Sequence, residues 1–387
     1  MTRWAGGAAS SVALLAGLVA SVAVTAPAAA SSTTSVVAQV RVAAAPAVTS
    51  LAALVFPTAR VGYAAGVGAL LATRDGGRTW VTLPSPLPSV AALAFASAQD
   101  GYALGVGRLV ATADGGRTWQ PRPRPPRPLV TLSVVPGLVY ATTDASPGRD
   151  RPGPLLVSRD GARAWRALAT PVPAQAACFA DPQTGWILGA TGSAKAPTTT
   201  VFGTADAGRT WQPDLTVSLP AGAMSPGSGT LACAPSGRVW AEISGGQGMS
   251  ALTSAVWASA DTGRTWRELA ATHPGASGPP PGPARHLPSV PGSSPGPMAL
   301  AADGSGYVLG ICAACSEQTY QLGGSTRGQG WHDAGAVGTP GVATGPLAGF
   351  AVTAPGVAEM AIDWDGDLPE ILQTRDAGRT WRVLWRA

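Results

Sequence analysis

The 387-residue chain carries 26 Lys+Arg against 21 Asp+Glu, a formal net charge of +5, with 50 Gly, 36 Pro and 12% charged residues. That composition suits short strands joined by many turns, and the absence of Asn excludes N-glycosylation. All basic residues but Lys195 are Arg, and six of them (Arg78, Arg117, Arg163, Arg209, Arg264, Arg379) recur at one place in a repeated phrase. The charge is therefore spread out instead of gathered on one surface, and no nucleic-acid partner is expected.

The first predicted element is a leader. Met1-Thr2-Arg3-Trp4 precedes an uncharged, Ala/Val/Leu-rich run from Ala5 to Ala30, ending Ala28-Ala29-Ala30 before Ser31. The pattern predicts a signal peptide over 1–30 and a secreted or cell-envelope location. Left uncleaved, the run is long enough to anchor in a bilayer, the one membrane association expected. Residues 31–47 read as an Ala/Ser-rich linker or, through the alternation of Ser35 to Ala43, an added strand.

From 48 to 387 the chain is organised by an eight-residue phrase, Ser/Thr-x-Asp-x-Gly-x-Thr-Trp, beginning with TRDGGRTW at Thr73 to Trp80. Its Asp and Trp recur as Asp75/Trp80, Asp114/Trp119, Asp160/Trp165, Asp206/Trp211, Asp261/Trp266 and Asp376/Trp381. The third copy has Ala162 and Ala164 where Gly and Thr stand elsewhere, and a worn copy survives at Ser325 to Trp331. Asp can accept hydrogen bonds from the backbone of its own turn, Gly supplies a φ > 0 position, and Trp is large enough to wedge between neighbouring sheets. Successive Trp residues lie 39, 46, 46, 55, 65 and 50 residues apart, the span of a four-stranded sheet with variable loops. The predicted fold is all-β: a propeller of seven four-stranded blades, or six if the unit around Trp331 is an insertion.

Within each repeat the last two strands flank the phrase, and Gly62-Tyr63, Gly101-Tyr102, Gly185-Trp186 and Gly306-Tyr307 open the second strand, with Tyr140 and Trp240 in corresponding places. Four insertions are read as loops: Pro121 to Pro128, Asp144 to Pro154, Gly189 to Pro197 and Ala270 to Pro297. All four fall on the face opposite the repeated turn, where binding is expected. Arg122, Arg124 and Arg127, held between prolines, are the candidate binding residues for an acidic partner or anionic head groups.

The repeated phrase resembles the Asp-box, or bacterial neuraminidase repeat, of sialidases, sortilin-type receptors and photosystem II stability and assembly factor-like propellers. The resemblance covers roughly 48 to 387 and implies architecture more firmly than activity. A sialidase would bring three Arg on a substrate carboxylate, a Tyr activated by Glu, and an Asp acid/base. Here only Tyr320, three residues after Glu317, lies outside the recurring second-strand aromatics, and the Arg-Ile-Pro element that opens many sialidase domains is missing before the first phrase. An assembly-factor-like propeller would hold client proteins without catalysis.

Four cysteines allow disulfides in an exported chain: Cys178 with Cys233, in matching places of consecutive repeats, and Cys312 with Cys315 at a hairpin end. No second Cys-x-x-Cys or nearby His completes a zinc ribbon, and no phosphate-cradling loop is present, so no cofactor is expected. Asp363, Asp365 and Asp367 read either as a hairpin turn or as a Ca²⁺ site. Two functional classes stay open: a non-catalytic scaffold for an envelope or extracellular protein, and a secreted sialidase-like glycosidase or glycan-binding propeller.

Overall fold

The computed structural model describes residues 48–144, 152–193, 196–218, 228–244, 254–272, 293–312, 320–327, 329–337, 347–363 and 368–387. The leader, the 31–47 segment, Cys315, Glu317 and Asp365/Asp367 lie outside these residues. Seven antiparallel sheets follow one another along the chain as blades 1 to 7, spanning 50–89, 92–121, 129–167, 176–218, 228–272, 293–337 and 347–386. The first strand of each blade touches the first strand of the next, and Leu347–Ala354 of blade 7 lies against Ser50–Val55 of blade 1, closing a seven-bladed propeller.

Six sheets have four strands and blade 1 has three. Its middle element, Gly62–Thr73, pairs with the first strand through Tyr63–Val67 and with the outer strand mainly through residues 69–72, with Gly68 at φ 97° between. Blade 2 covers the same stretch with the hairpin Gly101–Gly105/Arg108–Thr112 about Gly107 at φ 63°. Gly62–Thr73 is thus the counterpart of both central strands. Second strands are enclosed on both faces and so are apolar without alternation: every residue of Leu138–Thr143 is buried. Outer strands such as Val81–Ser89 alternate or lie exposed.

Gly189–Pro197, read from sequence as a loop, is instead the far part of a long hairpin, Gly185–Ser193 against Ala196–Thr204, paired as far as Ser193 and Ala196. Threonine side chains supply the reason. Thr191 Oγ1 lies 2.7 Å from Thr198 Oγ1 and 2.8 Å from Thr200 Oγ1, which reaches Thr216 Oγ1 at 3.1 Å, a ladder suited to β-branched residues. The last insertion is also shorter than expected, because Arg267–Thr272 and Ser293–Leu300 are strands.

Every intact turn needs two successive residues at positive φ after its Asp, as at Gly76 (73°) and Gly77 (83°). Ala162, Ala207, Thr262 and Ala377 meet this demand without being glycine. Thr262, at 60°, is the costliest because its branched Cβ crowds the carbonyl. Replacing exposed Thr262 with Gly is expected to stabilise the fold by about 1 kcal/mol, read as a higher urea midpoint at unchanged slope.

Candidate functional site

The repeated turn is self-contained. Thr79 donates to Asp75 through its amide (2.9 Å to Oδ1) and its hydroxyl (2.7 Å to Oδ2), Thr73 Oγ1 donates to Oδ1, and Gly77 N donates back to Thr73 Oγ1. The same network surrounds Asp114, Asp206, Asp261 and Asp376. These bonds, the Thr79 hydroxyl foremost, hold the Asp75 carboxyl at about 2. Around Asp160 the hydroxyl donor is missing because Ala164 replaces Thr, and the backbone amide of Ala164 is the leading cause of the lowered value. Such carboxylates are committed acceptors and poor general acids. In blade 6 no Asp occupies the turn. A tight hairpin pairs Thr326 with Gln329, and Arg327 leans on Asp303 at 3.6 Å.

Four of the six turns are bonded to the neighbouring hairpin of their own blade: Gly76 N donates to Arg60 O, Gly115 N to Gln99 O, Ala207 N to Gln183 O and Ala377 N to Gly356 O. The turn tryptophans pack at the seams between blades and are enclosed to different degrees. Trp80, Trp119, Trp165, Trp211 and Trp266 are only half-buried. Trp165 packs beside Leu104, Leu109 and Ala162 at the seam of blades 2 and 3, and Trp266 beside Trp186 and Val239 at that of blades 4 and 5. The exception is Trp381, 5% exposed in the core shared by blades 6 and 7 with Tyr307 and Leu372.

The position of the indoles explains this, since each follows directly on an exposed turn. Trp119 and Trp266 bend back toward it, their Nε1 atoms donating to Gly116 O at 3.1 Å and Gly263 O at 3.0 Å. The second-strand aromatics Tyr63, Tyr140, Trp186, Trp240 and Tyr307 are fully buried. Tyr63 stacks on Phe95 of blade 2 (centroids 4.1 Å apart), and Phe95 meets Trp119 edge-on; Tyr140 stacks on Phe179, which meets Trp211.

A second seam position lies three residues beyond each turn tryptophan, where the side chain presses on the next blade's turn. Leu168 and Leu384 fill it against Gly208 and Gly77, where an added Cβ would strike the leucine methyl. Asp214 takes the place in blade 4, where it accepts a bond from Trp186 Nε1 at 3.1 Å beside Gly263. Burial pushes its carboxyl up to about 6. In blade 2 the place belongs to Arg122, whose Nε donates to Gly161 O of blade 3 at 2.6 Å. Arg122, one of the three arginines read from sequence as binding candidates, is thus a structural strut whose guanidinium is bonded to backbone carbonyls.

The other candidate chemistry is buried. Tyr320 is 2% exposed in the core between blades 6 and 7, and burial pushes its phenol up to about 12, the reverse of an activated nucleophile. Glu242, in the blade 5 second strand, is bonded by Ser244 Oγ, and Glu359, in blade 7, by Thr353 Oγ1 and Gln373 Nε2. Burial raises both carboxyls to about 7, and each is held by side chains of its own blade. Glu359 stands at the register position of Tyr140 in blade 3. Its partner Gln373 reaches Gly76 O across the seam between blades 7 and 1. Cys178 and Cys233 form a disulfide between the first strands of blades 4 and 5, while Cys312 ends the strand Gly306–Cys312. Among the described residues no three His, Cys, Asp or Glu side chains gather as a metal site.

The opposite face offers a cleft of about 310 Å³ between blades 2 and 3, lined by the hairpin tip Leu104 to Arg108 and the loop Arg124 to Leu129. Arg124 and Arg127 are exposed there together with Arg108, contributed by the other blade. Val106 at the tip is 95% exposed. The loop is clamped at both ends, by Arg122 N donating to Leu109 O (2.9 Å) and Asp144 N to Pro128 O (3.3 Å).

No protein-family model matches the chain, and no curated protein matches it. Among solved structures it is similar to a prolyl endopeptidase, at 10% identity and TM-score 0.50, over 88% of this chain and 50% of that one. It is also similar to the GH74 enzyme of Niastella koreensis, at 14% identity and TM-score 0.32, over 84% of this chain and 61% of that one. A third likeness is to the six-bladed Aleuria aurantia lectin, at 16% identity and TM-score 0.42, over 77% and 99%. The chain thus spans less than two thirds of the first two proteins. At these identities the likeness concerns the fold alone.

Proposed function

We propose that this chain is an exported, non-catalytic propeller of the Asp-box kind that holds a client protein on its loop face. The observation that carries the reading is the contrast between the two faces. On the turn face the carboxylates accept bonds from their own hydroxyls and amides, and the comparable cleft there, about 290 Å³ beside Arg159 and Arg209, includes Asp206 in its lining, whereas the loop-face cleft is lined by Arg108, Arg124 and Arg127 with no carboxylate, beside exposed Val106. Export is supported by the Cys178–Cys233 bond, since disulfides persist in oxidising compartments. The buried Tyr320 argues against a sialidase-type centre. The role resembles that of the photosystem II assembly factor-like propellers, with a different client.

Site-specific photo-crosslinking in cells tests this. A photoreactive residue at Val106 on the loop face is expected to give a discrete protein adduct, and one at exposed Arg209 on the turn face none. Adducts confined to Arg209, or turnover of fluorogenic sialosides that Tyr320→Phe abolishes, would remove the scaffold reading.

A further inference from the structure

We infer that the cleft between blades 2 and 3 binds a short, acidic, extended peptide segment with aliphatic side chains, an inference that rests on the loop-face scaffold reading and names its ligand chemistry. The lining joins two sequence regions: Leu104, Gly105, Val106, Gly107 and Arg108 on one wall, and Arg124 through Leu129 on the other. It contains three arginines and no acidic residue. No hydrogen bond or ion pair among the described residues engages those arginines. Three free guanidiniums without a counter-charge favour a ligand that brings its own carboxylates, which Arg grips in bidentate fashion.

The remaining surface decides between anions. Val106, Leu104, Leu129 and three prolines present aliphatic carbon. No aromatic, amide, carboxylate or hydroxyl side chain lines the cleft. Arginine has donors and no acceptor, so sugar hydroxyls would find no side chain to receive their protons. Leucine or valine side chains of a peptide would instead cover the aliphatic wall while neighbouring acids reach the arginines. The volume, about 310 Å³, is at the small end of ligand pockets and suits a short segment.

The walls are also prepared in advance. Pro125, Pro126 and Pro128 fix their φ angles, and the loop is tied at Leu109 and Asp144. Opposite, Gly105 sits so close to Ser89 O that a side chain would collide, which holds the hairpin tip against its blade. Little ordering remains to be done on binding.

Fluorescence anisotropy with the full chain provides the test. The probe is a labelled heptapeptide alternating Glu or Asp with Leu or Val; its Gln/Asn counterpart, oligogalacturonate and phosphatidylglycerol vesicles are the comparisons. The acidic peptide is expected to bind, weakening about tenfold or more on charge removal from the peptide, in Arg124→Glu/Arg127→Glu, and with added salt. Val106→Asp should weaken it likewise, and all variants should keep the parent melting temperature because these side chains are exposed. Equal binding of both peptides, unchanged binding by the double variant, or preference for oligogalacturonate or vesicles would overturn the inference. If peptide binding fails while the Val106 protein adduct persists, the scaffold reading stands and only the ligand chemistry falls; loss of both removes the two together.

Discussion

Trp240→Ala is expected to lower unfolding free energy by about 3–5 kcal/mol, the range for deleting a fully buried large side chain. The indole is 1% exposed and packs with Val256 and Leu269 of its own blade and with Val308, Met298, Leu300 and Trp331 of blade 6. Its centroid lies 6.5 Å from that of Trp331, and Gly306 leaves it room, since a Cβ there would come within 2.8 Å of Cη2. Neighbours on two sheets cannot all collapse into the space it leaves, so the loss approaches the full cavity cost. The turn residue Trp119 is only half-buried, and its replacement by Ala should cost less. Chemical denaturation of both variants checks the ranking. Equal losses would show that half-buried turn indoles carry the seams as much as second-strand aromatics do.

The second large effect is a stability maximum on the acid side of neutrality. Asp75, Asp114, Asp206 and Asp261 have carboxyls lowered from 3.8 to about 2, with the Thr hydroxyl bond the leading cause in each. Groups lowered on folding stabilise above their ordinary value, and that stability is lost as pH falls through about 2. Glu242 and Glu359 are raised by burial from 4.5 to about 7, which has the opposite sign. Their contribution is full below 4.5 and lost as pH rises through 7. Asp214, raised by burial to about 6, adds to the same decline.

The melting temperature should therefore peak near pH ~4–5 and fall toward neutrality. Glu242→Gln and Glu359→Gln should each flatten the fall by about 2–3 kcal/mol, because an amide is neutral throughout. Around Glu359 the bonds from Gln373 and Thr353, and then the charge of Arg375, oppose part of the burial cost. Calorimetry from pH 3 to 8 is the measurement. A wild-type midpoint rising steadily between pH 5 and 8 would mean that both glutamates ionise in the fold at no cost.

Much of the architecture is visible in sequence because its signals are local. The turn's bonds run between residues two to four apart, as from Thr73 to Asp75 and from Thr79 to Asp75, so the phrase carries its own geometry. The Gly-aromatic pairs marking second strands are equally local, and the strands at Gly62, Gly101, Gly185 and Gly306 begin there. Gly189 to Pro197 escaped recognition because its small and Pro residues resemble a loop, while the threonine ladder that stabilises it needs the partner strand. Burial of the turn tryptophans was not legible either: Trp165, Trp266 and Trp381 stand in the same phrase, yet only Trp381 is enclosed, by side chains of the blade before it. Arg122 and Asp214 were hidden differently: each looks ordinary in its own strand and becomes informative only against the next blade.

By itself the sequence determined the repeated turn, the succession of strands and the all-β ring, since all three follow from hydrogen-bonding and packing preferences that recur within each repeat. Only the tertiary structure decided which arginine is a strut and which ones face the cleft. Arg122 is drawn to Gly161 O, whereas Arg108 comes from the hairpin opposite to join Arg124 and Arg127. It likewise decided that Glu359 would stand in an aromatic position at the closing seam, bridged through Gln373 to blade 1. The physical reason is that a site between blades is made by side chains whose meeting depends on the blades' rotation about a common axis, and no spacing along one strand encodes that rotation.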